Sequence, residues 1–236
     1  MATTIHRADT RGGGDQGWLR SRHTFSFADY HDRERMGFGA LRVLNDDLVA
    51  PGAGFPTHRH RNMEIVSIPL SGTLHHKDST GRDEALHPGE VQRMSAGTGI
   101  THSEYNASAT EPVNFLQIWV RPKTRDIPPD YEQRPFPAVG RQNRIQFIVA
   151  PKRRDGALDI QQDAWFALAD ITAANTLRYA MQRPGNGVYV FLIDGGLAVA
   201  GEQMNKRDGL GVCGADELTL TARGNARVLL MEVPML

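Results

Sequence analysis

The chain has 236 residues, with 27 Lys plus Arg against 27 Asp plus Glu and a formal net charge of zero. That balance offers no basic field for nucleic acid or anionic lipid, and no apolar run reaches transmembrane length, so neither partner is expected. The single cysteine, Cys213, excludes a disulfide scaffold and a multi-thiolate zinc site.

The length fits two domains of roughly 100–120 residues or one large β domain. Met1 to Trp18 has no apolar core of the signal-peptide kind, and with one cysteine a cytoplasmic protein is the expectation. Cys213 itself reads as a small buried residue.

Arg11 to Gly17 is glycine-rich, but it lacks the Lys-Ser/Thr ending of a phosphate loop and reads as a flexible turn. His23 to Phe27 alternates like a strand, and Ala40 to Leu44 reads as a second strand before an Asn45-Asp46-Asp47 turn. His6, His23 and His31 have no partner at ligand spacing and read as structural or surface residues.

Two segments carry the chemistry. In Gly52 to Glu64, His58 and His60 are two residues apart, as are His102 and Glu104 later in the chain. On a strand each pair points to one face, whereas on a helix each would diverge. Side by side, the two strands present three imidazoles and a carboxylate to one point, a set suited to a first-row divalent metal. Glu64 is an even number of residues from His60, so the same parity aims it inward as well.

Met63 to Leu70 is an apolar run ending at the Ser71-Gly72 turn, and Thr73 to Asp78 reads as the returning strand, closed by Ser79-Thr80-Gly81. His75 and His76 are adjacent, so they face opposite sides and cannot both join one site. Val91 to Met94 and Val113 to Val120 complete the strand pattern of the first half. Val66, Ile68 and Met94 read as the lining of an apolar pocket in the barrel interior. Between Arg121 and Pro137 five prolines among charged residues discourage strands and helices, which marks an inter-domain linker.

The second half is again strand-like at Arg144–Ala150, Ala164–Ile171, Thr176–Gln182, Val188–Ile193, Leu218–Thr221 and Val228–Val233. Aligning Asp194-Gly195 with Ser71-Gly72 puts Met181 and Arg183 at the positions of His58 and His60, and the second half contains no histidine. In a duplicated barrel, only the first copy can hold an imidazole-bound metal. The expected domains are a metal-binding barrel over 1–122, a Pro-rich linker over 123–137 and a second barrel without metal ligands over 138–236.

The spacing Gly52-x5-His58-x-His60-x3-Glu64 resembles the first cupin motif, and Gly99-x2-His102-x3-Asn106 resembles the end of the second. H-R-N-M-E-I-V-S at 60–67, H-H-K-D-S-T-G at 75–81, M-S-A-G-T-G-I-T-H-S-E-Y-N at 94–106 and G-W-L-R-S-R-H-T-F-S-F-A-D-Y at 17–30 are similar to the pirin family, over about residues 17–122. The resemblance implies an all-β bicupin of two antiparallel jelly-roll barrels. It also implies the ligand set His58, His60, His102 and Glu104, leaving Glu64 as a nearby or substrate-facing carboxylate. Arg59, where many relatives have proline, should point outward.

The metal implied is iron first, with Mn, Ni, Cu, Co or Zn as substitutes. The function implied is a quercetin 2,3-dioxygenase-like cleavage of a flavonol by dioxygen, with Glu104 as the base. Two alternatives stand beside it: a non-enzymatic, metal-dependent regulator that docks on a protein partner, and another cupin reaction on a small metabolite.

Overall fold

The computed structural model describes residues 1–152 and 156–235. It is built from strands, with two short 3-10 turns as the helical elements among the described residues. The strands form two sandwiches, each a seven-stranded sheet facing a four-stranded one. In the first sandwich the small sheet runs Gly54–His60, Ile100–Asn106, Leu74–Asp78, Asp83–Leu86; in the second the same order recurs as Thr176–Ala180, Glu217–Ala222, Gly196–Val199, Glu202–Asn205. That repetition is the expected pair of jelly rolls. The Ser71-Gly72 and Asp194-Gly195 turns occupy matching places. Both glycines are left-handed, and at Gly72 a Cβ would come within 2.6 Å of the Pro112 carbonyl oxygen.

The apolar side chains divide into layers. One cluster lies between the two barrels, where Val66, Ile68, Leu116 and Ile118 of the first meet Phe166, Tyr189, Phe191 and Met231 of the second. The second barrel is filled by a single apolar cluster running from Ala167 to Leu230. The first barrel has two smaller clusters, one around Leu74, Leu86 and Phe115 and one around Ile65, Met94 and Ile100. Between them lies a buried polar layer that includes His60, His76, His102, Glu104 and Gln117. A filled barrel has no room for a ligand, and a barrel divided by polar groups does.

Several expectations change. Gly12–Asp15 is not a turn; it is an edge strand paired with Leu19–His23, which itself ends where the predicted strand began. Asn45-Asp46-Asp47 lies inside the nine-residue strand Leu41–Val49, because Asn45 and Asp47 face a cavity that accommodates polar groups. The proline-rich stretch contains the strand Asp130–Pro135, paired with Glu90–Ser95 of the first barrel. Pro128 and Pro129 stand just before this ladder and Pro135 at its end, where a missing N–H is tolerated. Ala2–His6 crosses over to pair with Gly209–Cys213 in the second barrel. We propose domain limits that follow this pairing, with residues 12–135 forming the first barrel and 2–6 joining the second. Cys213 is half-buried, not fully buried.

Candidate metal centre

The strands Gly54–His60 and Ile100–Asn106 are antiparallel neighbours, with His58 directly opposite His102. Between that pair and Glu104–Phe55 the register slips by one residue on the 54–60 side, at Pro56 and Thr57. Proline has no N–H for the ladder, so a bulge forms there and re-aims the histidine that follows.

The three imidazoles meet. Ring centroids are 4.4 Å apart for His58 and His102, and 4.8 Å from His60 to each of the others. The Nε2 atoms of His58 and His102 are 3.0 Å apart. Two nitrogens each about 2.1 Å from one ion, at a right angle, have a separation of about 3.0 Å. His58 Nδ1 donates to the Pro56 carbonyl oxygen at 2.8 Å, and since a carbonyl only accepts, Nε2 keeps its lone pair. His60 Nε2 is buried with no hydrogen-bond partner. An orphaned ring nitrogen beside two convergent ones is what a metal ion would satisfy.

Electrostatics favours the same form. Burial first, then the neighbouring imidazoles, lowers the pKa of His60 to about 4. Burial, His58 and His76 lower that of His102 to about 3. Both rings are therefore neutral at pH 7, as metal coordination requires.

Glu104 is fully buried and held by donors. Trp119 Nε1 donates to Gln117 Oε1 at 3.1 Å, which turns the amide so that Gln117 Nε2 donates to Glu104 Oε2 at 2.9 Å. Ser67 Oγ lies 3.5 Å from the other oxygen. Glu104 lines the same cavity as His58 and His60 and groups at ligand distance with His102 and His76. The three histidines form their own group without it.

The cavity has a volume of about 460 Å³, with walls of Trp18, Phe27, Phe55 and Trp119. Along one side run Ser21, His23, Asn45 and Asp47, on the paired strands Leu19–His23 and Leu41–Val49. Burial pushes the Asp47 carboxyl up to about 7 while the Ser21 hydroxyl donates to it. His23 Nδ1 and Asn45 Oδ1 are buried and unpartnered.

Val66, Ile68 and Met94 do not line this cavity. Val66 and Ile68 belong to the layer between the barrels, and Ile68 borders a separate cavity of about 430 Å³ there. Met94 packs with Ile65 and Tyr131 instead of lining the cavity. Glu64 also faces away from the histidines: Ser95 Oγ donates to it at 2.8 Å and the Gln161 backbone N–H at 3.2 Å. The chain between His60 and Glu64 passes through Asn62 at φ 51°, which breaks the strand and resets its parity. Arg59 points outward as expected and is exposed. In the second barrel Arg183 is exposed and paired with Asp163 at 2.9 Å, so the positions aligned with the histidines build no counterpart site.

The spacing assigns no role in the centre to His76, Asp78, Gln117 or Trp119. The signal for two of them was present, since Leu74, His76 and Asp78 alternate with the more exposed His75 and Lys77 along one strand.

The family model described as Pirin matches residues 5–120, and that described as Quercetinase C-terminal cupin domain matches 147–233. The chain is 42% identical over 234 residues, 98% of each protein, to the quercetin 2,3-dioxygenase of Escherichia coli K12. It is 39% identical over 225 residues to a pirin-like protein of Caulobacter vibrioides, covering 95% of this chain and 96% of that one. Among solved structures, the bacterial pirin YhhW of E. coli in complex with nickel(II) matches with a TM-score of 0.95 at 38% identity, covering both chains completely. With that likeness extending through both barrels, the chain belongs to the pirin family.

Proposed function

We propose that this pirin is a metal-dependent dioxygenase that cleaves a flat, polyhydroxylated aromatic substrate of the flavonol class. The observation that carries the reading is the convergence of His58, His60 and His102, with His58 and His60 lining a cavity that has aromatic walls. Quercetin 2,3-dioxygenase is the name of the E. coli relative, and nickel(II) is bound in the structure of YhhW.

His58, His60 and His102 would hold a divalent ion, with Glu104 as the fourth ligand. When bound, that ion supplies Lewis acidity toward a phenolic oxygen and the electronic contact with dioxygen that ring cleavage needs. The protein's own part is acceptance, orientation and dryness. Glu104, held by Gln117 and Ser67, accepts the proton of the substrate hydroxyl. Trp18, Phe27, Phe55 and Trp119 take the faces and edges of the ring and exclude water. Ser21, His23, Asn45 and Asp47 offer hydrogen-bonding partners to the remaining hydroxyls.

Anaerobically reconstituted protein mixed with quercetin, with and without air, tests the reading. Flavonol loss that requires oxygen and disappears in His60→Ala is the expected result. Absence of turnover with each of iron, manganese, nickel, copper and cobalt would overturn it and favour the regulatory alternative.

A further inference from the structure

His102 stands between two groupings. One joins it to His58 and His60, and the other to His76 and Glu104. Its two ring nitrogens divide between them: Nε2 faces His58, and Nδ1 lies 3.4 Å from His76 Nδ1. Whether His76 is itself a ligand or serves His102 depends on where the protons sit.

They can be placed by working inward from Asp78. One oxygen of Asp78 accepts from the Thr80 backbone N–H at 2.8 Å, the Thr80 hydroxyl at 2.6 Å and the Arg82 N–H at 3.3 Å. The other lies 2.9 Å from His76 Nε2, with both side chains wholly buried. A carboxylate only accepts, so His76 carries its proton on Nε2 and turns a lone pair outward at Nδ1. Gln92 Nε2, a donor, lies 3.4 Å from that same Nδ1. Tyr131 stacks on the His76 ring at 4.8 Å and fixes its plane. His102 must then bear its proton on Nδ1 to meet His76, which leaves the Nε2 lone pair directed at His58.

We propose that Asp78 and His76 are positioning residues that fix the tautomer of His102, through a carboxylate–imidazole–imidazole chain, so that His102 presents Nε2 to the metal and His76 is not a ligand. This rests on the metal-centre reading above. The chain also makes His102 a stronger donor to the ion, because its N–H is hydrogen-bonded behind it. His58 obtains the same tautomer from the Pro56 carbonyl, so two ligands are preset by separate means.

The test is Asp78→Asn. The amide oxygen keeps accepting from Thr80 and Arg82, while the amide N–H₂ now donates to His76 where the carboxylate accepted. His76 must then carry its proton on Nδ1, and His102 is left with its proton on Nε2, aimed into the centre. Long-range ¹H–¹⁵N NMR of the metal-free proteins is expected to show His102 protonated on Nδ1 in the wild type and on Nε2 in the variant. Competition titration with nickel(II) is expected to show about 10- to 100-fold weaker binding in the variant.

If Asp78→Asn does not fold, His76→Phe keeps the stack on Tyr131 and removes the chain, and the same loss of nickel affinity is expected. Wild-type tautomer or wild-type nickel affinity in a folded variant would overturn the proposal. A wild-type protein that takes up no nickel would instead defeat the metal-centre reading on which it rests.

Discussion

His58 and His102 face each other across two antiparallel strands with their Nε2 atoms 3.0 Å apart, although their ring planes differ by 55°. The tilt lets both lone pairs address one point without the rings stacking. Replacing either residue with alanine should therefore remove bound metal. A fall in nickel(II) affinity of more than about 100-fold is expected, since a direct ligand matters at least as much as the groups supporting it. The fold should persist, because the apolar clusters above and below the site do not include these rings. Elemental analysis and circular dichroism check both halves of the prediction, and full metal content in either variant would refute it.

Glu104 and Glu64 make a second, opposed pair. Both are buried carboxylates of the first barrel, but Glu104 lines the cavity and Glu64 binds Ser95 and Gln161 on the other side of its sheet. Glu104→Gln should lower kcat by about 100-fold or more, in the range of general-base loss, with a smaller effect on metal affinity. Glu64→Gln should leave nickel binding unchanged and act on stability alone, through the contact with the second barrel. Steady-state kinetics and metal titration on the two variants distinguish the roles; a greater metal loss in Glu64→Gln would reverse them.

Much of this centre was legible in the chain. Two-residue spacing placed His58 with His60 and His102 with Glu104, because strand parity is rigid where the ladder is continuous. The parity rule failed for Glu64 because it was carried across Asn62, whose left-handed backbone interrupts the strand. The same slip put Val66 and Ile68 on the wrong face, while Ser67, one residue along, reaches Glu104. Asn45 and Asp47 looked like a turn because polar residues usually end strands, and only a cavity beside them makes them strand interior. The crossing of Ala2–His6 to the second barrel has no local signature, since pairing between residues about 200 apart is not written in either segment.

The lowered pKa values of His60 and His102 make metal-free stability depend on pH in a defined direction. Each ring resists protonation in the folded state until about pH 4 and about pH 3, against an ordinary value of 6.5. The unfolded chain then binds more protons than the folded one as the pH falls below 6.5. Stability should be complete above that pH and be lost progressively toward pH 4, at about 1.4 kcal/mol per pH unit for each ring. Urea unfolding at pH 7.5, 5.5 and 4.5 measures the slope, and His60→Gln should flatten it. Equal slopes in the two proteins would mean that His60 takes up its proton at the same pH folded and unfolded.

Asp47 should oppose this trend. Burial raises its carboxyl to about 7, with Asp46 and Glu104 adding to the effect and the Ser21 hydroxyl acting against it. A carboxyl with a raised folded pKa contributes stability that is fully present below about pH 4 and lost as the pH rises through about 7. Asp47→Asn cannot ionise, yet its amide oxygen still accepts from Ser21. The variant should match the wild type near pH 4 and exceed it at pH 8 by up to about 4 kcal/mol, at about 1.4 kcal/mol for each pH unit between the two states. Comparing the two metal-free proteins at each pH cancels the histidine contribution, because both retain His60 and His102. A stability difference that stays constant from pH 4 to pH 8 would show that Asp47 does not titrate across that window. A protonated Asp47 would also be a donor on the cavity wall, so a KM for the aromatic substrate that rises above pH 7 in the wild type, and not in Asp47→Asn, is the kinetic counterpart of the same ionisation.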